Sequence, residues 1–271
     1  VSAERGAMTD RGSGGPVRTA VVTLARAAGA YDVVSLAVPA APGWASARPG
    51  QLLVLPGSPA RGEVLPRLLW LADVTVDPVH GTAVEVAVPA GAGWEVGRRL
   101  RLVGPLGRGF GVPTDPVPAL VVGHGGSTVP LRWLTSRLRA RGCPVHLVLS
   151  APEPDGLFEV AALRRQAASV RLTTEQDLAR VTLEVLEQEP RVGVVYAAGP
   201  RGPVRQVAQV AVGAGRPVRV SALDLDEPLL CGTGLCGQCD LRPAGPGGPR
   251  PLRPCLEGPV VPGEQVLDAA R

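Results

Sequence analysis

Lysine, isoleucine and asparagine are absent from this chain of 271 residues, and Phe, Tyr and Trp together make up only 3% of it. Its basic charge is therefore all arginine, and its cores must be built largely from Val, Leu and Ala. The arginines are scattered, with no dense run and no interleaved aromatics, which excludes a nucleic-acid-binding stripe. A net charge of +4 leaves room only for steering an acidic partner or a phosphate-bearing ligand. No run of eighteen apolar residues is present, so no helix is expected to span a membrane. The opening "VSAERGAMTDRGSGG" lacks the apolar centre of a secretory signal. Residues 1–16 are expected to form a disordered polar tail, and the protein is expected in the cytoplasm. Thiols stay reduced there, so clustered cysteines point to a metal rather than to disulfides.

Between 17 and 113, six short β-like runs are separated by Gly, Pro and Asp-Pro turns: "VRTAVVTLARA", "YDVVSLAVPA", "GQLLVLPG", "LLWLADVTVD", "TAVEVAVPA" and "RRLRLVGP". Their spacing of roughly ten residues predicts a small antiparallel β-barrel. A Gly/Pro-dense linker, "GPLGRGFGVPTDPVP", closes it. From 117 to 216 strands alternate with helices, predicting an α/β domain with a parallel sheet. Its first helix carries Leu131, Leu134 and Leu138 on one face. The run "RVSALDL" then leads into a cysteine segment at 219–271, giving β-barrel, α/β domain and tail in that order.

Four of the five cysteines lie in that tail. Cys231, Cys236 and Cys239 have the spacing C-x4-C-x2-C, and Cys255 follows after fifteen intervening residues. This is the plant-type spacing of a [2Fe-2S] cluster. Three ligands on one tight loop wrap one side of the cluster, and the fourth comes from a neighbouring hairpin whose tip reads as "RPAGPGG". Gly232, Gly234 and Gly237 give the loop left-handed conformations and free N–H groups to aim at sulfur. The alternative is structural zinc on the same thiolates. Zinc knuckles pair two C-x2-C units, and one such unit exists here. Cys143, before Pro144 at a strand start, reads as a core thiol.

"VVGHGGST", residues 121–128, joins a strand to a helix, where N–H groups and the helix dipole favour a phosphate. Gly123, Gly125 and Gly126 are not spaced as a G-x-G-x-x-G fingerprint, and tight packing is the competing explanation for them. "AAGP", with Gly199 and Pro200, closes the fourth strand at the same end of the sheet. His124 reads as a solvent-facing turn residue.

Taken together, "PGQLLVLPG", "GPLGRGF", "VVGHGGSTVPLRWL" and "CGTGLCGQC…CLEGPVV" resemble the electron-transfer subunits of dihydroorotate dehydrogenase, within the ferredoxin-NAD(P) reductase superfamily. The resemblance implies a barrel that binds FAD, an α/β domain that binds NAD(H) and a tail that binds [2Fe-2S]. It implies a hetero-oligomer with a catalytic dihydroorotate dehydrogenase-like flavoprotein subunit holding FMN. Electrons from dihydroorotate would pass through FMN, the cluster and FAD to NAD+. No catalytic acid, base or nucleophile stands out, as befits a conduit. Within the family's flavin motif Arg67 is kept for the pyrophosphate, while Trp70 takes the place of a hydroxyl that approaches the isoalloxazine. Trp94 stands where the family has a threonine, and Ala198 where it has a cysteine near the nicotinamide. These departures define a second reading: a non-catalytic [2Fe-2S] carrier or accessory subunit without flavin or nicotinamide. Leu235, on the cysteine loop, and Arg253, before the fourth cysteine, are candidates for a docking face.

Overall fold

The computed structural model describes residues 17–57, 65–153, 156–223, 225, 231–242 and 250–268. The expected tail, 1–16, and most of the "RPAGPGG" tip lie outside them. The six β-like runs become six antiparallel strands: β1 (Arg18–Ala28), β2 (Tyr31–Val38), β3 (Leu52–Leu55), β4 (Arg67–Asp77), β5 (Gly81–Pro89) and β6 (Arg99–Leu106). A short helix, α1 (Pro42–Ala45), precedes β3. The strands close into a barrel in the order β1-β2-β5-β4-β3-β6, which leaves no free edge. Side chains alternate across each strand. On β4, Leu69 and Leu71 point into the barrel with Val34, Leu36, Val84 and Trp44. Leu68, Trp70 and Ala72 point outward, into a cluster that also holds Cys239 and Cys255. That outward face is where the barrel meets the cysteine segment.

The second sheet has the order β12-β11-β10-β7-β8-β9. Its parallel strands are β7 (Ala119–His124), β8 (Val145–Ser150), β9 (Ser169–Thr173), β10 (Val194–Ala198) and β11 (Val218–Ser221). Helices cover both faces, which is why β7 and β8 read as continuous apolar runs. Leu131, Leu134 and Leu138 of α2 (Val129–Ala140) pack on one face with α3 (Val160–Gln166). The helices α4 (Leu178–Gln188) and α5 (Arg201–Gly213) pack on the other. Four parallel strands are predicted, and the structure has five plus an antiparallel sixth. "RVSALDL" begins inside β11, and β12 (Val260–Pro262) returns from beyond Cys255 to pair with it. The cysteine segment is thus sewn into the α/β sheet. It carries α6 (Pro254–Glu257) and ends in α7 (Gly263–Leu267), where Gly263 lets the chain press on β11 because a Cβ there would lie 2.3 Å from Val218.

Barrel and sheet are fastened by Arg132 of α2. Its guanidinium donates to Glu85 of the barrel at 2.6 Å and lies 3.1 Å from Glu159 at the start of α3. Trp133 beside it enters the barrel cluster. Among the described residues no helix is long and apolar enough to cross a membrane.

Tyr196 of β10 is buried and donates to the Gly111 carbonyl at 2.8 Å. Burial, helped by Cys143 and opposed by Arg219, pushes its hydroxyl from 10.0 up to about 12. The folded state therefore keeps a proton that the unfolded chain gives up near pH 10. The stability from this group is complete below pH 10 and is lost as pH rises from 10 towards 12. Denaturant unfolding at pH 9 and pH 11 is expected to show a larger loss for the parent chain than for Tyr196→Phe.

Candidate metal centre and ligand crevice

The loop from Cys231 to Cys239 is shaped by three glycines in the left-handed region: Gly232 at φ 66°, Gly234 at 73° and Gly237 at 71°. Gly234 is also sterically required, since a Cβ there would sit 2.4 Å from Leu256 Cδ1. The turn aims backbone donors at sulfur. The N–H groups of Thr233, Leu235 and Cys236 donate to Cys231 Sγ at 3.3–3.4 Å, and that of Gln238 donates to Cys236 Sγ at 3.4 Å. A two-way backbone bridge between Leu241 and Leu252, at 2.8 and 3.0 Å, closes the hairpin and presents Cys255 on α6. Beneath the loop the buried Asp240 carboxylate lies between Arg242 at 3.5 Å and Arg253 at 3.8 Å.

Cys239 and Cys255 are buried together in the apolar layer against the barrel, while Cys231 is half-buried and Cys236 exposed. Burial pushes the Cys231 thiol up, but hydrogen bonds from Thr233 and Cys236 outweigh it and hold the group at about 6. The neighbouring Cys255 lowers Cys239 to about 7 against burial. Its neighbour Cys239, with burial, pushes Cys255 up. Four thiols with backbone N–H groups aimed at sulfur fit the donor set of a two-iron cluster. Cys143, 2% exposed, lies in the core of the α/β domain.

The outward face of the barrel lies directly against this loop. A Cβ on Gly232 would stand 3.1 Å from Val54 and 3.3 Å from Leu68. Beside them Trp70 is 4% exposed, and its buried indole N–H has no acceptor. Such a group costs about 1–3 kcal/mol unless a ligand accepts from it. Arg67, at the exposed start of β4, has no carboxylate partner among the described residues. At the strand start the exposed Arg67 is available to a phosphate, while Trp70, in the opposite phase on the outward face, carries a buried donor that a flat acceptor would satisfy. Trp94 lies elsewhere. It is buried inside the barrel with Arg98 over its ring at 5.5 Å, so its place in the motif is a core position.

In the parallel sheet, β8 and β9 extend from β7 in one direction and β10 and β11 in the other. The switch point between β7 and β10 opens a crevice at the carboxyl ends of the strands. Register brings Gly123, Ala198 and Ser221 side by side there. Gly123 serves packing, since a Cβ would lie 2.5 Å from Leu131 Cδ1. Gly125, at φ 54° with open space around it, can approach a ligand, and Gly126 follows it in the same 3-10 turn. Gly199 faces His124, with 3.2 Å from a Cβ to His124 Cβ, and Pro200 caps α5.

His124 is not a solvent-facing turn residue. It is 7% exposed at the end of β7, with Nδ1 2.9 Å from Ser150 Oγ and Nε2 3.5 Å from Glu175. The hydroxyls of Ser127 and Ser221 at the same strand ends are buried without partners. These two orphaned groups fit a polar ligand such as a dinucleotide. Neither serine stood out in the sequence. The signal available was their position at strand ends, Ser127 in the turn after β7 and Ser221 as the last residue of β11.

Residues 226–267 match the iron-sulfur cluster binding domain of dihydroorotate dehydrogenase B. The chain is 30% identical over 227 residues to the NAD(+)-type dihydroorotate dehydrogenase B electron transfer subunit of Bacillus velezensis, covering 80% of this chain and 86% of that one. The corresponding Desulforamulus reducens subunit is 28% identical over 177 residues, 63% of this chain and 66% of its own. Among solved structures, one described as an NADH-dependent reduced ferredoxin-NADP oxidoreductase superposes with a TM-score of 0.67 at 22% identity, covering 91% of this chain and 88% of that one. The ferredoxin reductase of carbazole 1,9a-dioxygenase gives 0.58 at 21%, covering 76% and 68%. These likenesses establish the barrel-plus-sheet fold. With Cys239 and Cys255 buried against the outward face of that barrel, and relatives matching over most of their length, this chain belongs to the family of dihydroorotate dehydrogenase B electron transfer subunits.

Proposed function

We propose that this chain passes electrons between a catalytic dihydroorotate dehydrogenase-like flavoprotein subunit and NAD, in a cytoplasmic hetero-oligomer, using a [2Fe-2S] cluster and FAD. The observation that carries this reading is the seating of the four-thiol segment against Leu68 and Trp70, so that cluster ligands and barrel strand share one apolar layer. When bound, the cofactors supply one- and two-electron transfer, and the protein supplies their placing.

Each residue has a definable share. Cys231, Cys236, Cys239 and Cys255 hold iron, and the loop N–H groups offset charge on sulfur. Val54, Leu68 and Trp70 keep water from that side. Arg67 takes the FAD pyrophosphate, and the Trp70 N–H donates to the flavin. Gly125, Gly126, Gly199 and Pro200 shape the NAD(H) crevice, with Gly123 giving β7 room and the Ser127 and Ser221 hydroxyls as donors.

Leu235 is 87% exposed between two thiols, where a partner surface would desolvate it. Leu235→Asp is expected to slow electron delivery from the catalytic subunit by about tenfold or more, with iron content unchanged. Arg253→Glu serves as the charge-reversal counterpart. Anaerobic mixing with NADH tests the function itself. Bleaching of the visible bands by NADH is the expected result. Bleaching by dithionite alone would remove NAD from the reading. A cluster carrier without flavin is the second reading, favoured by the nearly complete burial of Trp70. Purification with iron and no flavin would select it.

A further inference from the structure

Several arginine pairs on this protein hold a carboxylate between them. Arg26 and Arg132 share Glu159, Arg171 and Arg180 share Glu184, and Arg242 and Arg253 share Asp240. Another cluster holds none. Arg48 before β3, Arg108 after β6 and Arg219 in β11 line a single cleft of about 490 Å³, and no acidic side chain lines it. Among the described residues none of these three guanidiniums has a carboxylate partner. Three like charges around one concavity repel each other and concentrate a positive potential in it.

The walls are tied from three parts of the chain. Gln51 accepts from the Arg48 N–H and donates to the Gly107 carbonyl, both at 2.7 Å. The Phe110 N–H donates to the Pro49 carbonyl at 2.7 Å. Arg108 is held on both sides, its N–H donating to Gly258 and its carbonyl accepting from Val260 at 3.1 Å. Gly109 is pressed so close that a Cβ would stand 2.5 Å from the Pro49 carbonyl oxygen. The backbone frame is therefore formed before any ligand arrives, which reduces the ordering cost of binding. Val260, Val261 and Pro262 supply an apolar side wall. The cleft shares no lining residue with the crevice at Gly123, His124 and Ser221.

We propose that this cleft binds a small polyanion carrying at least two phosphate or carboxylate groups, gripped by the guanidinium forks of Arg48, Arg108 and Arg219. Guanidinium is suited to both groups because its planar donors engage two oxygens at once. The proposal is independent of the electron-transfer reading, because its lining includes neither a thiol nor a residue assigned to FAD or NAD.

Calorimetric titration of the full chain at fixed ionic strength tests it, with inorganic pyrophosphate, ADP and citrate as probes. Saturable binding of at least one probe is expected, weakened about tenfold or more by either Arg48→Gln or Arg219→Gln. The exposed Arg191→Gln is expected to leave it unchanged. Pyrophosphate or ADP binding better than citrate assigns a phosphate ligand, and the reverse order a carboxylate. Both guanidinium heads are exposed, so circular dichroism should find the variants folded. Absence of saturable binding of all three probes, or binding that survives both substitutions intact, would overturn the proposal.

Discussion

Cys239→Ser strips the chain of its iron: about two iron atoms per chain fall to near none after anaerobic purification, and the visible bands go with them. Cys239 is 5% exposed and packs with the 1% exposed Cys255 among the apolar residues joining the loop to β4. A serine oxygen there is a poorer ligand for iron and a polar intruder in that layer. The effect is confined to the metal centre, because barrel and sheet have their own clusters. Far-ultraviolet circular dichroism is expected to stay close to that of the parent. Cys143→Ala is the control. It lies in a different cluster, and iron is expected to remain. Iron loss from Cys143→Ala equal to that from Cys239→Ser would remove the assignment of ligands.

Trp70→Ala is expected to destabilise the chain by about 3–5 kcal/mol, as for other buried tryptophans, and to release FAD. Trp70→Phe separates packing from hydrogen bonding. Most of the ring remains and the N–H is gone, so the flavin-free chain loses no hydrogen bond, because that N–H has no acceptor in it. FAD affinity is expected to drop about tenfold, the equivalent of one hydrogen bond. Equal FAD affinity in Trp70→Phe and parent would contradict the donor role. Tighter FAD binding by Trp70→Ala would mean that the indole stands where the flavin should, and would favour the flavin-free carrier. Fluorescence titration of the flavin-stripped chain reads both outcomes.

The sequence made the local parts legible. Six valine-rich runs with turn residues between them became six barrel strands, and the C-x4-C-x2-C spacing located the metal loop. What it hid was pairing between distant segments. β12 is three residues ending in Pro262, too short for a periodicity, and only its register with β11 reveals it. The burial of Cys239 with Cys255 depends on how the hairpin returns Cys255, which spacing alone does not state. His124 was misjudged because a glycine turn suggests solvent. In the structure β7 runs one residue further, and the parallel neighbour Ser150 takes its ring. Trp94 takes the place of the family's threonine in the motif, and in the closed barrel that place is a core position. Arg48, Arg108 and Arg219 are indistinguishable from other arginines until the fold brings them together.

Quantifying iron, zinc and released flavin in the anaerobically purified chain tests the central claim most directly. About two irons per chain with bound FAD and no zinc is the expected result for a thiol segment built onto a flavin barrel. Zinc without iron, persisting after cluster reconstitution, would contradict it.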